Sequence, residues 1–251
     1  MARLIGVGRA GEGPEIDRFQ VFGERRSGTN ALERFLSENT RLARSRDFGW
    51  KHGFPVFPVL PRCCLFVVVV RDPFDWLKSF YRAPFEADPA LADLEFSEFL
   101  RSEWKSLFTP YKSGWKGHGY ALDLQVGRGE ELQADRNPIT GARFANVVEM
   151  RRLKLAGHLS LLARGINAVA LRYEAFLEDR AGVLEDIVQA FDLPRAARFS
   201  AVARSVGPGA EQARDGARKD EAAFTEADRA FVLAGLDLKQ ERFCGYLSGT
   251  A

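Results

Sequence analysis

Apolar residues fall along this chain in two alternating rhythms. Short β-prone runs give way to stretches in which apolar positions recur every three or four residues. Phe19–Phe22 (FQVF) is a strand-like run that ends at Gly23. After a turn containing Gly, Ser and Thr, residues Leu32, Phe35 and Leu36 fall on one helical face. Asp47–His52 reads as a second short strand. Leu65–Val70 (LFVVVV) is apolar at every position, the pattern of a strand covered on both faces of a parallel sheet. It stops at Arg71-Asp72-Pro73, and a helix is expected through Trp76, Leu77 and Phe80. Asn146–Leu162 is helical, Ile166–Leu171 is another buried strand, and Asp179–Phe191 and Glu226–Gly245 are helical again. Strands alternating with helices predict an α/β fold with a central, mainly parallel sheet flanked by helices.

Two regions break the rhythm. Pro84–Phe144 is rich in aromatics and Gly, with Trp104, Phe108, Tyr111, Trp115 and Tyr120, and from Thr109 onward it has little periodicity. It is expected to be an insertion of the kind that often carries specificity, and it reads equally as a partly disordered flap. Val206–Asp220 holds Gly and Pro among basic residues and reads as a surface loop. At 251 residues, the chain reads as one α/β domain, 1–251, with 84–144 inserted.

Composition removes several function classes. Hydrophobic residues make up 46% and charged residues 28%, ordinary for a globular protein, which excludes general disorder. The net charge is only +2, so no nucleic-acid polymer is expected as partner. The cysteines are Cys63, Cys64 and Cys244. An odd count with two neighbours is no disulfide framework and fits a reducing compartment. Met1–Phe19 lacks the build of a signal peptide, and the longest apolar run, Cys63–Val70, is too short to span a bilayer. A cytoplasmic protein without a transmembrane segment is expected; nothing in the pattern fixes an oligomeric state.

The chemistry concentrates at the strand ends. Gly23-Glu24-Arg25-Arg26-Ser27-Gly28-Thr29-Asn30 lies between a strand and a helix. Backbone N–H groups and a helix N-terminus can cradle a phosphate there. Gly28 permits close approach, Ser27, Thr29 and Asn30 add polar groups, and Arg25 and Arg26 add charge. The loop is close to GxxxxGK[ST], but Thr29 stands where a triphosphate enzyme needs lysine. Arg71, at the carboxyl end of the buried strand, and Ser79, two helical turns later, can converge on one anion. Read separately, the first motif is also an ordinary capped turn, and the second an arginine at a sheet edge with a solvent-facing serine.

Together and in this order, the motifs resemble those of the sulfotransferases that use 3′-phosphoadenosine 5′-phosphosulfate. That family carries [K/R]-S-G-T-[T/N], here Arg26-Ser27-Gly28-Thr29-Asn30, and R-[D/N]-P-x5-S, here Arg71-Asp72-Pro73 with Ser79. Leu171-Arg172-Tyr173-Glu174 looks like a third family segment, with the tyrosine near the adenine. The resemblance implies a three-layer P-loop-like fold and a donor that leaves adenosine 3′,5′-bisphosphate. It also implies that no metal is needed, and that the acceptor is a small molecule or a glycan offering a hydroxyl or amine. It implies that Arg26 to Asn30 hold the phosphosulfate, Arg71 and Ser79 the 3′-phosphate, and a late basic loop including Arg214 and Arg218 the same phosphate.

Gly49-Trp50-Lys51-His52-Gly53-Phe54-Pro55 lies between the two motifs, where the aryl and alcohol sulfotransferases of the family it resembles carry K-x-H-x-P. His52 is the expected base for the acceptor's proton, with Lys51 and Arg26 as cations at the leaving oxygen. Lys51 directly precedes His52, and in a strand the two would point to opposite faces. Glu24 is the reserve base, His118 a candidate acceptor contact, and His158 structural. The other readings are a P-loop kinase using ATP and Mg²⁺, and a nucleotide-binding module without chemistry.

Overall fold

A computed structural model describes residues 3–108, 129–201 and 222–247. Five strands form one mixed sheet: β1 (Leu4–Gly8), β2 (Arg18–Phe22), β3 (Ala43–Arg44), β4 (Cys64–Val70) and β5 (Ala168–Arg172). Their order is β1-β5-β4-β2-β3. The pairs β2–β3, β2–β4 and β4–β5 are parallel, and β1 runs antiparallel to β5 at one edge. The register pairs Phe22 with Val68 and Val70 with Arg172, so β2 ends two residues short of β4.

Every residue of β4 is buried. Leu65, Val67 and Val69 pack with α1 (Thr29–Asn39) and α7 (Arg180–Phe191), whereas Phe66, Val68 and Val70 pack with α5 (Val147–Leu159) on the opposite face. Burying each such side chain stabilises the sheet by about 1.5–3 kcal/mol, which is why an unbroken apolar run forms the central strand. The fold is therefore α/β, with helices on both faces of a mostly parallel sheet.

The remaining helices are α2 (Pro73–Arg82), α3 (Pro89–Ala92), α4 (Phe96–Arg101), α6 (Tyr173–Glu178), α8 (Glu226–Gly235) and α9 (Leu238–Phe243). A third apolar cluster joins α2 to Phe96, Phe99, Trp104 and Phe144 of the 84–144 region and to Val148 and Val232. The described part of that region is thus anchored on α2 and α5, with α3 and α4 inside it. No helix among the described residues is long and apolar enough to cross a membrane.

Three expectations change. Asp47–His52 is a turn, not a strand. Gln20 on β2 bonds Phe48 N and the Gly49 carbonyl at 3.1 and 3.0 Å, replacing a backbone ladder with its side-chain amide. Gly49 has φ 93°, outside the extended backbone of a regular strand. The 226–245 stretch is two helices, broken where buried Leu236 precedes Asp237, the N-cap of α9. Leu4–Gly8, in the Met1–Phe19 stretch for which no element is expected, forms the antiparallel edge strand. Tyr111, Trp115, His118, Tyr120, Arg214 and Arg218 lie outside the described residues.

Candidate functional site

The chain leaves β2 toward β3 and leaves β4 with β5 on its other side, so the carboxyl ends of β2 and β4 flank a switch point in the sheet. Ligands of open α/β sheets bind in such crevices. The Gly23–Asn30 loop starts here. A Cβ on Gly23 would sit 2.5 Å from the Val69 carbonyl, so only glycine lets the loop hug β4. Gly28 has φ 86° and caps α1, and a Cβ on it would run into the Tyr173 ring. The N-terminus of α1 has no side-chain cap and no acidic residue in its first turn. Its orphan amides and positive dipole end favour an anion.

Four of the sequence-read residues meet on this loop. Arg26, held left-handed at φ 69°, donates from Nε to Ser79 Oγ at 3.2 Å. Arg71 donates from Nη1 to the Arg26 carbonyl at 3.1 Å, and its guanidinium carbon lies 5.1 Å from the Tyr173 ring centroid. Burial, then the like charge of Arg71, lowers the pKa of Arg26. Two guanidinium groups held this close invite an anion. Ser27 Oγ and Arg71 Nε are buried and have no hydrogen-bond partner among the described residues. Buried polar atoms left unmet cost about 1–3 kcal/mol each, so a ligand oxygen fits there.

Supporting contacts fix this geometry. Asp72 caps α2, accepting from Phe74 N at 2.9 Å and Asp75 N at 3.0 Å. Asp72 N donates to Glu174 Oε1 at 2.9 Å, tying the start of α6 to the end of β4. The Tyr246 hydroxyl lies 2.6 Å from Glu174 Oε2 and 3.1 Å from the Val70 carbonyl.

Arg25 does not join this group. Its guanidinium is turned into the core, with Nη2 2.6 Å from Asp135 Oδ2 and Nη1 3.8 Å from Glu86. The rings of Phe80, Trp50 and Trp104 surround it at 5.1–5.4 Å. The reason is charge: Arg25 is the counter-ion of Asp135, a buried carboxylate of the 84–144 region, and ions in a core must pair. Only the backbone of Arg25 stays with the loop, its carbonyl accepting from Trp76 Nε1 at 2.7 Å.

The Trp50–Gly53 turn docks against the first loop residue. Gly23 N donates to the Lys51 carbonyl at 3.0 Å, and His52 Nδ1 lies 2.7 Å from the Gly23 carbonyl. A carbonyl only accepts, so Nδ1 carries the proton and Nε2 keeps its lone pair. Lys51 Nζ donates to Asn30 Oδ1 and, at 3.0 Å, to Glu33 Oε2. Because the segment is a turn, adjacent Lys51 and His52 both reach the loop. Burial, then the Lys51 charge, pushes the His52 imidazole well below its usual pKa; burial lowers Lys51 against the pull of Glu33.

Glu24 is buried, and neither carboxylate oxygen has a hydrogen-bond partner among the described residues. Burial raises its pKa to about 7, opposed by Lys154 and Arg25. Behind it lies a cluster the sequence did not disclose. Asp135 bonds Lys154 Nζ through Oδ1; Oδ2 accepts from Arg25, Trp104 Nε1 at 2.8 Å and Ser106. Burial alone would raise Asp135, but Arg25 and Lys154 outweigh it and hold the carboxyl below its usual range. Arg151 pairs with Glu241 at 2.7 Å and donates to the Arg71 carbonyl at 2.9 Å. Charged Arg151 and Lys154 on the buried face of α5, which also carries His158, were the one readable sign of this cluster. Asp135, in an aperiodic stretch, gave none.

No protein-family model matches the chain, and no curated protein matches it significantly.

Proposed function

We propose that this chain is a sulfotransferase that moves a sulfuryl group from 3′-phosphoadenosine 5′-phosphosulfate to an acceptor hydroxyl or amine, on a P-loop-like fold. The observation that carries this reading is the meeting of Arg26, Ser79, Arg71 and Tyr173 on the Gly28 loop. A strand-end arginine and a helix serine, 45 and 53 positions from the loop arginine, close on it beside an aromatic ring. That donor set suits a nucleotide with two separate phosphate positions.

The residues fit the donor. Ser27 Oγ, the Arg26 side chain and the N-terminus of α1 would hold the phosphosulfate; Arg71 and Ser79 would hold the 3′-phosphate, with Tyr173 against the base. When bound, the donor supplies an electrophilic sulfuryl group and a bisphosphate leaving group. His52, its Nδ1–H committed to Gly23, presents Nε2 to take the acceptor's proton. Its depressed pKa keeps the ring neutral at pH 7 and ready to accept. Lys51 and Arg26 carry the charge that stabilises a developing oxyanion.

The test is thermal unfolding with adenosine 3′,5′-bisphosphate and, separately, with ATP and Mg²⁺. Ligand at a hundredfold excess over Kd stabilises by about 2.7 kcal/mol. For this chain length that corresponds to a rise of about 5–10 °C in Tm. A rise with the bisphosphate is expected. A rise with Mg-ATP alone would replace this reading with phosphoryl transfer.

A further inference from the structure

His52 is a turn residue, yet its ring is aimed at a fixed carbonyl. Something must hold the turn against the loop, and the backbone supplies little: the Gly23–Lys51 bond lies on one side only. The other side is held by α5. Lys154 Nζ donates to the His52 carbonyl at 2.8 Å, and His158 Nε2 lies 2.9 Å from the Gly53 carbonyl. A carbonyl can only accept, so His158 donates from Nε2. The two donors are four residues apart, one turn of α5, and grip two consecutive carbonyls. Gly53 also packs on the Ala134 carbonyl, where a Cβ would sit 3.3 Å away.

Lys154 is fully buried, a place where an ammonium survives only when paired. Asp135 is its counter-ion, and the Trp50 ring lies 5.2 Å from Nζ. Asp135 in turn pairs with Arg25 of the phosphate-type loop at 2.6 Å. A single buried carboxylate from the 84–144 region therefore joins the His52 turn, through Lys154, to the loop.

We propose that Lys154 and His158 are the positioning residues of His52, with Asp135 as the group that keeps Lys154 in place. Together they fix both ends of the residue: α5 holds its carbonyl side and Gly23 holds its ring. The aim of Nε2 is then set by a helix and a strand end, not by the loop sequence around it. The charged side chains acting on the ring come from three elements: Lys51 of the turn itself, Arg25 of the loop and Lys154 of α5.

This inference rests on the reading of His52 as proton acceptor, but its test does not require that reaction. The ring nitrogens of His52 are followed by ¹⁵N NMR in the full chain and in three variants. Lys154→Met removes the donor. Lys154→Met with Asp135→Asn removes both members of that ion pair together, leaving Arg25 with Glu86, 3.8 Å away, as its neighbouring carboxylate. Lys154→Gln keeps a neutral donor to the carbonyl. In the parent protein, one tautomer with the proton on Nδ1 is expected. In the folded Met variants that tautomer gives way to a mixture, and the ring protonates at higher pH because a neighbouring cation is gone. Lys154→Gln restores the single tautomer. Transfer at saturating donor falls by about 10²-fold in the Met variants, the scale of a small misplacement of a reacting group, while the donor KM is unchanged. Lys154→Gln recovers most of that rate. An unchanged Nδ1–H tautomer in the folded double variant overturns the proposal, and so does failure of Lys154→Gln to restore it. A parent protein that transfers no sulfuryl group refutes the sulfotransferase reading alone, since the histidine spectra decide positioning without donor or acceptor.

Discussion

Replacing Glu24 by glutamine is expected to stabilise the protein by an amount that grows as pH rises from about 4.5 to 7 and then holds. Glu24 is buried, with neither carboxylate oxygen hydrogen-bonded among the described residues, and burial lifts its pKa from 4.5 to about 7. The unfolded chain ionises this group near its ordinary value; the folded chain resists until about pH 7. Between those values the folded state binds the extra proton, so stability falls as pH rises through that window. Above pH 7 the folded protein carries the whole penalty of a buried charge. At about 1.4 kcal/mol per pH unit, the displacement from 4.5 to 7 corresponds to about 3 kcal/mol. Glu24→Gln has nearly the same shape and no charge, so it removes that penalty. The assay is thermal or urea unfolding of both proteins at pH 8 and pH 4. A gain of about 3 kcal/mol at pH 8, shrinking to near zero at pH 4, is expected. An equal gain at both values, or none at pH 8, would refute the argument that Glu24 is a buried carboxylate without a hydrogen-bond partner among the described residues. The same variant bears on chemistry: with His52 as proton acceptor, Glu24→Gln keeps its transfer activity.

Three further outcomes follow from the same geometry. His52→Ala is expected to lower transfer by about 10²–10⁴-fold with little change in bisphosphate affinity by calorimetry, and unchanged turnover would move the base elsewhere. Arg71→Ala removes a charged donor that also braces the Arg26 carbonyl, and should raise the bisphosphate Kd by about 10–100-fold in the same titration, with a weaker effect on saturated turnover. Asp135→Ala leaves Arg25 and Lys154 buried without their shared anion, and should lower stability by about 3–5 kcal/mol in urea unfolding.

The elements legible in the sequence are those whose signal is local. The unbroken LFVVVV run becomes the central strand because only a strand covered on both faces uses apolar residues at every position. Gly23 and Gly28 mark the loop because a side chain at either would strike a neighbour. The eight-residue step from Arg71 to Ser79 places both beside Arg26, since Asp72 and Pro73 start α2 immediately after the strand.

What the tertiary structure alone decided is where the charges went. Arg25 and Arg26 are neighbours with the same side chain, yet one enters the core and the other lines the loop. The difference lies in Asp135, 110 residues away, whose buried carboxylate draws Arg25 inward. Lys51 and His52 can share a site only because Gln20 occupies the backbone groups of Phe48 and Gly49 and keeps that stretch out of the sheet. Lys154 reaches the His52 carbonyl across 102 positions. Hydrophobic period and turn chemistry act between near neighbours, so the sequence alone determined the framework and the Gly23–Asn30 loop. Pairing of buried ions is settled by which groups meet when the elements pack, so the aim of the catalytic candidates belonged to the fold.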